Sequence, residues 1–119
     1  MPSALQVTAV AWLFVSLGHT VSRKDWQNTA KFNSLPQLAT TCAKAGWLQG
    51  SGFFIMNALI NYWWSKNPEA LTDPIQKAIA GVMVAIMGAS SLWYAKNGVT
   101  SNAVAVTAIG ALQSYAAFL

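Results

Sequence analysis

The sequence predicts an all-α protein, an integral membrane four-helix transmembrane bundle in a single domain covering 1–119, on three observations. Of the 119 residues 55% are hydrophobic and 8% charged, against about 25% charged in soluble domains. Apolar runs recur at about 4–21, 46–64, 75–94 and 102–119, each close to the roughly 20 residues that cross a bilayer as a helix. Nearly all the charged residues, with Pro36, Pro68 and Pro74, fall between those runs.

The first run, "ALQVTAVAWLFVSLG", is extendable through His19 to Val21. It has no basic stretch before it and no small-x-small cleavage pattern after it, so it is expected to stay as a span rather than act as a signal peptide. The second, "GWLQGSGFFIMNALINYWW", is uncharged, with an alternative start as early as Leu38. It ends at "SKNPEALTDP", where Asp73 is placed as N-cap and Pro74 at the first helical position of the third run. The third run stops at "KNG", with Lys96 in its last turn and Gly98 beyond it. The fourth continues to Leu119.

Four spans put both termini on one side. The first and third loops then hold Arg23, Lys24, Lys31, Lys44 and Lys96, and the second holds Lys66 and Lys77. Five basic residues against two place the first and third loops in the cytoplasm by the positive-inside rule. The net charge of +4 is scattered rather than gathered in a stripe, so no nucleic-acid partner is expected. Cys42 is the one cysteine and His19 the one histidine, which leaves no disulfide and no histidine metal cluster within the chain. No nucleophile elbow, phosphate loop, flavin or nicotinamide motif is present, and no cofactor is expected.

Amides and hydroxyls at lipid depth are costly unless a neighbouring helix or a bound molecule takes their hydrogen bonds. At 100° per residue the second run places Gly46, Gln49, Gly50, Phe53, Asn57, Asn61 and Trp64 on one stripe, away from Leu48, Ile55 and Leu59, while Ser51 falls off it and is given no role. The first aligns Thr8, Trp12, Ser16 and His19. The third aligns Ala80, Gly81, Gly88 and Ser91, and the fourth Thr107, Gly110 and Ser114 with Gln113 on the flank. Small residues on such faces serve close helix packing. Intramembrane amides are also candidate functional groups.

Acid–base chemistry is what the remaining inventory supports. His19 ends the first span, and Asp25 can return to it across a short loop to orient the imidazole. The expected catalytic set is therefore His19 and Asp25 for proton transfer, with Gln49 and Asn57 orienting a nucleophile. Trp12, Trp47, Phe53, Asn61, Ser91, Tyr94 and Gln113 are the expected substrate-binding set. Trp26, Trp47, Trp63, Trp64 and Trp93 also suit an aromatic belt at the membrane surfaces.

The segments "GHTVSRKDW", "GWLQGSGFF", "WSKNP", "DPIQKAIAG" and "SSLWYAKNG" resemble small fungal integral-membrane proteins of polyketide and meroterpenoid pathways, akin to the membrane epoxide hydrolases or cyclases of the aurovertin and citreoviridin type. The resemblance implies a lipophilic small-molecule substrate, cofactor-free epoxide opening by hydrolysis or cyclisation, and residence in the endoplasmic reticulum membrane. It transfers no catalytic residue. The alternative expectation is a non-enzymatic membrane subunit or small oligomeric transporter, since the small-residue faces also suit a homo-oligomer.

Overall fold

A computed structural model describes residues 1–119. The chain is all helical: α1 (Ala4–Ser22), a 3₁₀ turn (Arg23–Asp25), the one-turn α2 (Ala30–Asn33), α3 (Gln37–Lys66), a second 3₁₀ turn (Pro68–Thr72), α4 (Pro74–Lys96) and α5 (Thr100–Phe118). Local signals set these limits. Ser3 and Gln6 form a capping box at the start of α1. Asp73 caps α4 as expected, its Oδ1 accepting from Ile75 N at 2.8 Å and Gln76 N at 3.2 Å. Gly98, at φ 75°, turns the chain out of α4 in the left-handed region that glycine enters most readily.

Two helical segments are long and apolar enough to cross a membrane, Ala4–Asp25 and Pro74–Lys96. Only 28% and 17% of their apolar windows are buried inside the protein, unlike the core helix of a soluble domain. α3 is longer than its apolar run predicts, at 30 residues. At 1.5 Å rise per residue it is about 45 Å long, more than the roughly 30 Å hydrocarbon thickness of a bilayer.

α1 packs against α3 and α5, and α4 packs against α5, which leaves α3 and α4 flanking a seam with little direct contact. Small residues make these approaches close. Ser16 Oγ donates to the Ser51 carbonyl at 3.0 Å, and the Thr20 and Ser51 hydroxyls bond at 2.8 Å. Between α4 and α5, a Cβ on Gly110 would lie 3.1 Å from Met87 Cβ, and the Ser91 and Thr107 hydroxyls bond to each other.

The inward faces are rotated from those the polar stripes predict. On α3 the buried residues are Ser51, Phe54, Asn57, Ala58, Asn61 and Trp64, a face displaced by roughly 60° about the helix axis. Ser51, given no role above, is 6% exposed and joins α3 to α1. Gln49 and Gly46 lie on the exposed side instead. On α4 the face is Ala80, Met83 and Met87, and Gly81 and Gly88 meet nothing within 4 Å of where a Cβ would sit. On α5 Gln113, expected on the flank, is fully buried. The physical reason is common to all three helices: a stripe gathers the polar residues of one helix, whereas burial follows the direction of the nearest neighbouring helix.

The resulting surface carries bulky apolar residues and the interior carries polar ones. Leu13, Phe14, Leu17, Leu48, Met56, Leu59, Ile75, Leu92 and Val104 are all more than half exposed, while Thr8, Ser16, Ser51, Asn57, Asn61 and Gln113 are buried.

Candidate functional site

Three of the expected site residues form one buried network. Trp12 Nε1 donates to Gln113 Oε1 at 2.7 Å, Asn61 Nδ2 donates to the same oxygen at 2.7 Å, and Gln113 Nε2 returns a bond to Asn61 Oδ1 at 3.0 Å. The second Asn61 N–H goes to the Asn57 carbonyl at 2.8 Å. All three side chains are fully buried. Both lone pairs of Gln113 Oε1 and both amide hydrogens of Asn61 are thereby used. The network links α1, α3 and α5, and its groups answer one another within the protein.

His19 occupies a different place, at the end of the bundle formed by the C-terminal ends of α1 and α4 and the opposing halves of α3 and α5. A cavity of about 580 Å³ opens there, lined by His19, Ser22, Trp47, Gly50, Phe53, Phe54, Ser90, Tyr94 and Asn102 among others. The imidazole lies on the Trp47 indole, with centroids 3.7 Å apart and planes at 14°, and meets the Phe54 ring edge-on at 5.0 Å. Two crossed hydrogen bonds fix the pair: His19 Nε2 with the Trp47 carbonyl at 2.9 Å, and Trp47 Nε1 to the His19 carbonyl at 2.7 Å. A carbonyl only accepts, so Nε2 carries the proton and Nδ1 of the neutral ring keeps its lone pair.

Gly50 makes this arrangement sterically feasible. A Cβ there would sit 2.9 Å from His19 Nε2, closer than such contacts occur. The first loop then folds over the same end. Trp26 meets Trp47 and Phe32 edge-on, each at 5.0 Å, and Phe32 is buried at 8% exposure. Apart from its place in the motif "GHTVSRKDW", nothing in the polar composition of that loop signals the closure. The nearest signal is the pair of aromatics Trp26 and Phe32 themselves.

Of the expected catalytic set, His19 alone lies at this cavity. Asp25 is exposed on the 3₁₀ turn after α1 and Gln49 is exposed on α3, and neither lines the cavity. Asn57 is buried further along α3, on the seam with α4. Of the expected binding residues, Trp47, Phe53 and Tyr94 do line the cavity, Ser91 pairs with Thr107, and Trp12, Asn61 and Gln113 form the buried network. Ser22, Gly50, Ser90 and Asn102 are cavity residues missing from the expected set. No group of three or more His, Cys, Asp or Glu side chains is placed to hold a metal ion.

Comparison with protein-family models, with curated proteins and with solved structures finds no match for this chain.

Proposed function

We infer that the chain is a small membrane-embedded enzyme that acts on a lipophilic intermediate by cofactor-free acid–base chemistry, with His19 as its proton-transfer group. The observation that carries this reading is the orientation of His19: its Nε2 is committed to the Trp47 carbonyl, and its ring borders a largely apolar cavity. A histidine whose tautomer is set by a backbone carbonyl presents its other nitrogen as a base.

The membrane placement is supported by the inverted distribution of polarity. α1 and α4 have membrane-crossing length and composition. Exposed apolar residues are also spread along α3 and α5, which supports the proposal that all four long helices cross the bilayer. The ends carrying Arg23, Lys24, Lys31, Lys44 and Lys96 face the cytoplasm on the charge count. The resemblance to fungal natural-product membrane proteins makes the endoplasmic reticulum the proposed membrane.

The proposed reaction is epoxide opening. His19 Nδ1 takes the proton of the attacking oxygen, from water in hydrolysis or from a substrate hydroxyl in cyclisation, as the new C–O bond forms. Tyr94, whose side chain lines the same cavity, gives its phenolic proton to the epoxide oxygen as the old C–O bond breaks. The imidazolium proton then restores the phenol, and the site returns to its starting state. Trp47, Phe53 and Phe54 supply an apolar wall, and Trp26 with Phe32 restricts water at the loop end.

The test is turnover of a lipophilic polyene epoxide by membranes containing the wild type, His19→Ala or Tyr94→Phe at matched expression. Loss of turnover in both variants supports the assignment. Wild-type membranes that bind the epoxide without converting it favour the non-enzymatic alternative.

A further inference from the structure

We propose that the seam between α3 and α4 is a binding site for an apolar molecule with a ketone or ether oxygen inside its hydrocarbon body, held by the side-chain amide of Asn57. A groove of about 620 Å³ runs along this seam, within the roughly 300–1,000 Å³ usual for small-molecule sites. Nine of its ten lining residues are hydrophobic, and Asn57 is the tenth. Asn57 is 3% exposed, and its Nδ2 is the one buried side-chain nitrogen or oxygen in the chain without a hydrogen-bond partner.

A buried amide donor left unpaired is destabilising, and native proteins rarely keep one without a use. The neighbouring network does not take it up, because Gln113 Oε1 already accepts from both Trp12 and Asn61. Exchange of the amide nitrogen and oxygen of Asn57, a flip that leaves the shape of the side chain unchanged, turns its N–H to the groove, where every other lining side chain is apolar. The site thus asks for bulk hydrocarbon and one acceptor.

The size and depth of the groove select the occupant. At one end the seam is closed by the hydrogen bond from Trp64 Nε1 to Gln76 Oε1 at 2.8 Å, and at the other Phe53 stands between this groove and the His19 cavity, lining both. A membrane-spanning helix, about 10 Å across and 30 Å long, occupies roughly 2,000 Å³ or more and does not fit between those limits. Asn57 lies ten residues after Trp47 and seven before Trp64 on α3, about 15 Å and about 10 Å along the axis. Glycerolipid esters sit outside the hydrocarbon core and do not reach that depth. The acceptor therefore belongs to a molecule whose polar atom travels within its apolar body. This depth argument rests on the membrane placement proposed above and is independent of catalysis by His19.

The experiment uses three diazirine photoprobes on the full chain in phospholipid nanodiscs: a long-chain dialkyl ketone, the matched alkane, and a phosphatidylcholine with the diazirine in mid-chain. Adducts are mapped by peptide mass spectrometry, and carbonate-resistant membrane association of the same protein reports separately on the bilayer placement. The ketone is expected to label Met56, Ile79 and Val82 about fivefold more than the alkane, one net hydrogen bond's worth, with the phosphatidylcholine no better than the alkane. Asn57→Leu is expected to reduce ketone labelling to the alkane level, and Val82→Trp, which fills the groove, to suppress both. Equal labelling of the wild type by ketone and alkane overturns the proposal, as does phosphatidylcholine labelling equal to that by the ketone, or a ketone preference that survives Asn57→Leu. Absence of seam adducts from all three probes, with the protein dimeric in the nanodiscs, also overturns it.

Discussion

His19 and Trp47 hold each other through two crossed bonds, the ring Nε2 to the Trp47 carbonyl at 2.9 Å and the indole Nε1 to the His19 carbonyl at 2.7 Å. The ring stacking at 3.7 Å makes a third tie between the same residues. The end of α1 is thereby attached to α3 at the point where the catalytic group is proposed.

Trp47→Phe separates these ties, since it keeps an aromatic face for His19 but deletes the N–H. The His19 carbonyl then retains its bond from Ser22 Oγ at 2.9 Å and loses the one that crosses to α3. Hydrogen exchange at the amides of residues 20–26 is expected to rise several-fold, reflecting the loss of about 1 kcal/mol of local stability. Unchanged protection in that segment is the opposite result.

Gly50→Ala tests the space reserved for the imidazole. The added methyl meets His19 Nε2 at 2.9 Å, so the ring must shift and its bond to the Trp47 carbonyl lengthens. A change in the His19 ring ¹⁵N shifts and a fall in turnover are expected. Gly52→Ala, where nothing lies within 4 Å, is the control and is expected to leave both unchanged.

Gln113→Leu removes the acceptor shared by Trp12 and Asn61 and leaves two buried donors unpaired. Each costs about 1–3 kcal/mol, so the variant is expected to lose at least about 2 kcal/mol in reversible unfolding in detergent. Adding Asn61→Leu should then cost less than Asn61→Leu does alone in the wild type, because one orphaned donor disappears with it. Strict additivity of the two substitutions would argue that the bonds contribute little.

Leu59→Lys tests the outward face of α3. Leu59 is 64% exposed, and in the span proposed for α3 a lysine facing lipid costs up to about 2.5–3.5 kcal/mol in insertion. A marked loss of membrane integration in a microsomal assay is expected. Asp25→Lys, on the exposed turn, is expected to integrate as the wild type does.

Helix existence was legible in the sequence because composition and chain punctuation act locally. Asp73 before Pro74 and Gly98 after Lys96 mark ends that backbone chemistry alone dictates, and both hold in the structure. The apolar side of α3 was legible as well, with Leu48, Ile55 and Leu59 outward. Periodicity fixes which residues share a face but not which face a neighbour covers, and so Ser51 and Gln49 exchanged places. Asn61 and Gln113 are 52 residues apart, and no property of either helix alone reveals that their amides satisfy each other. The meeting of His19 with Trp47 needed the same long-range information, together with the absence of a side chain at Gly50.

The central claim is proton transfer by His19, and single-turnover kinetics on a lipophilic polyene epoxide in reconstituted membranes measure it most directly. His19→Ala is expected to slow the chemical step about 100-fold or more, the range for loss of a positioned acid–base group, while Asp25→Ala and Gln49→Ala remain within about twofold of wild type, as exposed residues away from the reacting atoms should. A His19→Ala protein that opens the epoxide at the wild-type rate, with correct membrane integration and unchanged stability, would contradict the claim.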